Sequence, residues 1–131
     1  MQRLSKKKFE QKCEELGVGA NQSIFFKRGF FQKFGCSPFC SVEYISVFAT
    51  SEKHLKQKFI QYSQENKVFL KKSSSVLIHF NINEHFTLQG VQKMMEELHK
   101  HLREDVDVVM SVIYHNIDTK SRESVSLFLE E

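Results

Sequence analysis

The chain's 131 residues are 40% hydrophobic and 27% charged, which is enough apolar material for one core and excludes a disordered composition. No run approaches the roughly 18–20 apolar residues of a membrane span, and the basic start at Met1 leads into Phe9 and Glu10 instead of an apolar signal core, so a cytoplasmic protein is expected. The net charge of +3 divides along the chain: through Lys72 fourteen Lys and Arg face six Asp and Glu, a balance of +8, and from Ser73 onward five face ten, a balance of −5. Such polarity can steer a partner or let like subunits associate, or it is simply a solvated surface.

In chain order, residues 4–16 predict a helix with Leu4, Phe9, Cys13 and Leu16 near one side and Gly17 or Gly19 as its stop. Residues 40–49 alternate as a strand, with Val42, Tyr44, Ser46 and Phe48 on one face and Glu43, Ile45 and Val47 on the other. Thr50 or Ser51 then caps a helix that carries Leu55, Phe59 and Tyr62 and runs to about Gln64. The next strand, 75–82, sets Val76, Ile78, Phe80 and Ile82 against Leu77, His79 and Asn81, and Asn83-Glu84-His85 turns the chain. Thr87 caps a second helix whose stripe is Leu88, Val91, Met94/Met95, Leu98 and Leu102.

Residues 108–115 are apolar on both sides apart from Ser111, the pattern of a strand covered on one face and paired centrally. Asn116-Ile-Asp118 turns the chain, and residues 124–130 return as a last strand with Val125, Leu127 and Leu129 inward. The order β-α-β-α-β-β predicts an α+β fold: a two-layer sandwich of a four-stranded mixed sheet with two helices on one face, preceded by an N-terminal helical segment. Residues 1–131 form a single domain on this reading, with a helical, Phe-rich part over 1–39 and the sandwich over 40–131.

The second half carries a resemblance. Ser75-Val-Leu-Ile-His-Phe-Asn-Ile-Asn-Glu-His-Phe-Thr-Leu88, the amphipathic helix and Val108-Val-Met-Ser-Val-Ile-Tyr-His115 resemble the C-terminal domain of the FtsZ/tubulin family. The preceding strand, the preceding helix and Asn66-Lys-Val-Phe-Leu70 fall in comparable places, so the resemblance covers about residues 40–131. Extended backwards, it lays 21–26 over the family's synergy loop, Asn-x-Asp-x-x-Asp. Asn21 matches there, but Ser23 and Phe26 stand where the family has aspartates. On that register residues 1–16 resemble the tail of the helix that joins the two FtsZ domains. The expectation is then a free-standing C-terminal domain, without the nucleotide-binding domain and, ending at Glu131 after its last strand, without FtsZ's tail peptide.

That expectation argues against catalysis. FtsZ hydrolyses GTP where a Gly-rich phosphate loop meets synergy-loop carboxylates, because a water must be held against the terminal phosphate. Gly17, Gly19, Gly29, Gly35 and Gly90 form no such loop, so neither an enzyme nor a cofactor is expected. Cys13, Cys36 and Cys40 leave one thiol over in any disulfide scheme, which suits a reducing compartment. The CxxxC pair is looser than the usual zinc spacing and has no histidine beside it, so no metal is expected. His99 and His101, two apart on a helix, point to different sides. His79 and His115 can face the same way on adjacent strands, near His85, where a polar sheet face is the plainer reading than a cysteine–histidine or histidine–carboxylate site.

The remaining candidate is an interface. Phe25, Phe26, Phe30, Phe31, Phe34 and Phe39 surround Lys27, Arg28 and Lys33, more aromatic surface than one helical face can bury. They either plug the sheet face opposite the two helices or meet a partner. The expected function is a protein-interaction module resembling the FtsZ/tubulin C-terminal domain, self-associating or binding a cytoskeletal or cell-division partner through these residues. The alternative is nucleic-acid or small-ligand binding by the same basic aromatic segment. An interfacial membrane helix is also conceivable there, but Gly29 and Gly35 make it short.

Overall fold

The computed structural model describes residues 2–18, 41–115 and 123–130. Its described strands are β1 (Gln2–Ser5), β2 (Ser41–Ala49), β3 (Ser75–Asn83), β4 (Asp107–His115) and β5 (Glu123–Glu130). The helices are α1 (Lys6–Leu16), α2 (Glu52–Glu65), α3 (Lys67–Lys72) and α4 (Leu88–His101). The class is α+β, but the sheet has five strands in the order β1-β2-β5-β3-β4 where four were expected. The additional strand is β1. Its four residues are too few to show a period, and pairing of Leu4 with Val42 across the antiparallel β1/β2 ladder draws Leu4 out of the predicted helix. Ser5 then serves both elements, since its side-chain oxygen accepts the Lys8 N–H and starts α1.

The sheet is antiparallel except at β3/β4, where the connection through α4 returns the chain parallel. Among the described residues β4 therefore lies at an edge, where a centrally paired strand was expected; the central place belongs to β5, between β2 and β3 and buried throughout. Ile45, Val47, Val76, Ile78, Phe80, Ile82, Val125, Leu127 and Leu129 face α2, α3 and α4 in the larger core, which Leu55, Phe59, Leu70, Val91, Met94 and Leu98 fill from the helices. Leu88 is 72% exposed, because the first residue of α4 precedes the buried stripe.

The opposite face holds a second, smaller core. Phe9 and Cys13 of α1 pack with Val18 against Leu4, Val42, Tyr44, Leu77 and Phe128, so helices lie on both faces and not on one. The Phe9 and Phe128 rings meet edge-on at 5.2 Å and 67°, and the tilted Tyr44 ring lies 5.0 Å from Phe128. Gly17, at φ 72°, ends α1 in the left-handed conformation that glycine adopts without strain.

A polar clamp joins the starts of α2 and α4. The Glu52 carboxylate accepts the Thr87 N–H and, at 2.8 Å, the Thr87 hydroxyl, while Thr87 Oγ1 accepts the Gly90 N–H at 3.0 Å. A Cβ on Gly90 would stand 2.9 Å from Glu52 Oε1, so the absence of a side chain there is what admits the carboxylate.

Candidate functional site

Register places four polar residues in one row across the face that carries α1. Ser46 lies opposite Ser126, Ser126 opposite His79, and His79 opposite Ser111. The two serines at one end share a hydrogen bond at 3.1 Å, and His79 Nδ1 lies 3.0 Å from Ser111 Oγ at the other. A serine beside an imidazole is the first ingredient of nucleophilic catalysis, but a nucleophile must also be reached. His79 and Ser126 have no exposed surface and Ser111 is buried. Burial pushes the His79 pKa below its ordinary 6.5, with the Leu16 carbonyl pulling weakly the other way, so the ring is neutral at physiological pH. Its Nε2 has no partner of hydrogen-bond geometry among the described residues.

The histidines gathered in the sequence reading do not converge. His79 and His115 share a face, but His115 lies opposite Asn83, four residues along β3 and so about 13 Å away at the usual rise. His85 sits in the exposed turn, where its N–H donates to Asn83 Oδ1. Cys13 is buried on α1, and desolvation, helped by Glu10, pushes its thiol from 9.0 up to about 12, far from the thiolate that chemistry or metal binding needs. Among the described residues no group of three or more His, Cys, Asp or Glu is arranged to hold a metal. Cys36, Cys40 and the proposed interface residues Phe25, Phe26, Lys27, Arg28, Phe30, Phe31, Lys33 and Phe34 lie outside the described residues, as does the turn at 116–118.

The surface offers a different kind of site. β1 stops at the pairing of Gln2 with Tyr44, so the outer edge of β2 beyond Tyr44 has no strand beside it among the described residues. There a cleft of about 550 Å³ runs between residues 46–50 and the α2 side chains His54, Lys58, Gln61, Tyr62 and Glu65. Lys58 Nζ donates to the Phe48 carbonyl at 2.8 Å, satisfying one edge acceptor, and Phe48, part of the lining, is 46% exposed. An unpaired strand edge walled by a helix is the geometry into which an extended chain adds as a further strand. No motif marks such a cleft; it follows from the shortness of β1, which sequence periodicity does not show.

No protein-family model matches the sequence, and no curated protein matches it. The fold is similar to solved structures of FtsZ from M. jannaschii. One, an FtsZ dimer, superposes with a TM-score of 0.50 at 11% identity over 67% of this chain and 26% of that one. A mutant FtsZ gives 0.53 at 13% identity over 69% and 27%. A thiamine monophosphate kinase from Aquifex aeolicus gives 0.46 at 11% identity over 83% and 42%. The likeness to FtsZ is one of fold, consistent with an FtsZ-like C-terminal region, and the matched part is about a quarter of the FtsZ chains.

Proposed function

We propose that this chain is a cytoplasmic, non-enzymatic module that works by binding protein, in the manner expected of an FtsZ/tubulin-type C-terminal domain standing apart from its GTPase domain. The observation that carries the reading is the cleft beside β2: a strand edge with no strand beside it among the described residues, a helical wall and the half-exposed Phe48 in its lining. The buried thiol and imidazole support it from the other side, since neither is held in a reactive state within reach of a substrate. Phe25, Phe26, Lys27, Arg28, Phe30, Phe31, Lys33 and Phe34 are proposed as a second contact, giving aromatic anchors and positive charge for an acidic partner surface. The partner class proposed is a tubulin-like or other cytoskeletal or division protein.

The test is affinity capture of the tagged chain from nuclease-treated lysate of its own cells, beside two variants checked for folding by circular dichroism: Phe48→Glu at the cleft and Phe30→Asp/Phe31→Asp in the basic segment. Enrichment of a tubulin-like GTPase or division protein that weakens in either variant supports the proposal. Partners that disappear with nuclease, together with single-strand binding that falls steeply with salt, would replace it with the nucleic-acid reading.

A further inference from the structure

Among the described residues the second open edge of the sheet is β4, and its sequence is its own complement. Asp-Val-Val-Met-Ser-Val-Ile-Tyr-His, residues 107–115, contains none of the Lys, Pro or Glu with which exposed strand edges are ordinarily blunted. Among the described residues nothing pairs with its outer side. Met110 is 48% and Tyr114 59% exposed, both on the face shared with Ile78 and Ile82, and Val109 and Ile113 are only partly buried on the other face.

We propose that β4 pairs antiparallel with β4 of a second copy of this chain, about a two-fold axis at Ser111, joining two five-stranded sheets into one. Centred there, all nine residues of each strand find a partner. Asp107 stands opposite His115 of the second copy, Val108 opposite Tyr114, Val109 opposite Ile113 and Met110 opposite Val112. Because β4 side chains alternate between the faces, each of these pairs lies on one face, as an antiparallel ladder requires. The ends carry an acid against an imidazole and the middle carries aromatic, aliphatic and thioether pairs, each of a kind that favours cross-strand association. Moving the axis by one residue sets Asp107 opposite Ile113, or Val109 opposite His115, and leaves both strands with unpaired ends. The pairing of carboxylate with imidazole at both ends, together with the full overlap of the two strands, therefore selects the Ser111-centred register and a copy of the same strand as its occupant.

This contact lies across the sheet from the cleft and shares no residue with it or with the 25–34 segment, so it stands or falls separately from the partner-binding proposal. Sedimentation velocity of the whole chain is expected to show a species of twice the 15.4 kDa chain mass at micromolar concentration. Met110→Lys and Tyr114→Lys, both at exposed side chains, are expected to return it to monomer with an unchanged circular dichroism spectrum. Phe30→Asp/Phe31→Asp is expected to stay dimeric. Spin labels at Tyr114→Cys are expected to lie about 20 Å apart backbone to backbone, since Tyr114 and its copy are offset by six residues along the paired strands. A chain that sediments as monomer at all concentrations overturns the proposal. So does a dimer untouched by both lysine variants, or a label separation that fits a different register.

Discussion

The docking of α1 on the sheet includes one fully buried ring pair, Phe9 and Phe128, and a double-mutant cycle measures it. Phe9 has no exposed surface, nor has Phe128 at the centre of the same small core. Truncating a buried phenylalanine to alanine removes its transfer energy and leaves a cavity, together about 3–5 kcal/mol. Either Phe9→Ala or Phe128→Ala therefore takes away at least about a fifth of the roughly 5–15 kcal/mol that holds an ordinary domain together. The edge-on geometry at 5.2 Å and 67° adds a pair interaction of about 0.5–1.5 kcal/mol, which either single truncation already removes. The double variant should thus lose less than the sum of the singles by at least that amount, and more if the two cavities merge and collapse. Urea unfolding followed by circular dichroism, with m unchanged across the series, gives the three differences. Additivity within about 0.3 kcal/mol would mean that the rings do not meet in solution, and the placement of α1 on this face would be wrong.

Three other outcomes follow from the described geometry. His79 is held neutral, so as pH falls below 6.5 the unfolded chain takes up a proton that the folded chain refuses; stability is full above 6.5 and declines below it, and His79→Gln should flatten that acid limb in urea midpoints recorded from pH 8 to 5. Cys13 has its pKa raised, so the thiol's contribution is full below 9.0 and is lost as pH rises from 9.0 toward about 12; peptide mapping after brief alkylation of the native chain should find Cys13 unmodified, and its modification at the same rate as in urea would contradict its burial. Gly90→Ala should fail to give the roughly 0.5–1 kcal/mol that alanine ordinarily adds over glycine in a helix, because its Cβ displaces the Glu52 carboxylate from Thr87, and in a Glu52→Ala background the gain should return; thermal unfolding of the two singles and the double decides it.

What was legible in the sequence is what has a period. The alternation at 42–48 and 76–82 assigned those side chains to their observed faces, and Ser51 and Thr87 begin helices by accepting N–H groups three residues on, as their placement before apolar stripes predicts. Elements without a period were not legible. Four residues of β1 repeat nothing, so the fifth strand, the second core under α1 and the cleft where β1 stops were all invisible. The polar row escaped for a related reason: Ser46, Ser126, His79 and Ser111 are far apart in the chain and only register aligns them.

The misplacement of β4 is the instructive case. Its sequence reads as an interior strand because it has apolar residues on both faces and no charge between Asp107 and His115, and those are the properties of a strand with neighbours on both sides. The described chain gives it a neighbour on one side only. An edge strand under no other constraint gains from lysine or proline, which prevent indiscriminate pairing, so an unblunted edge has a reason when pairing is what it does. The self-complementary order from Asp107 to His115 supplies that reason in a form a second copy can satisfy. The interior pattern and the edge position are reconciled in a dimer whose continuous sheet makes β4 an interior strand.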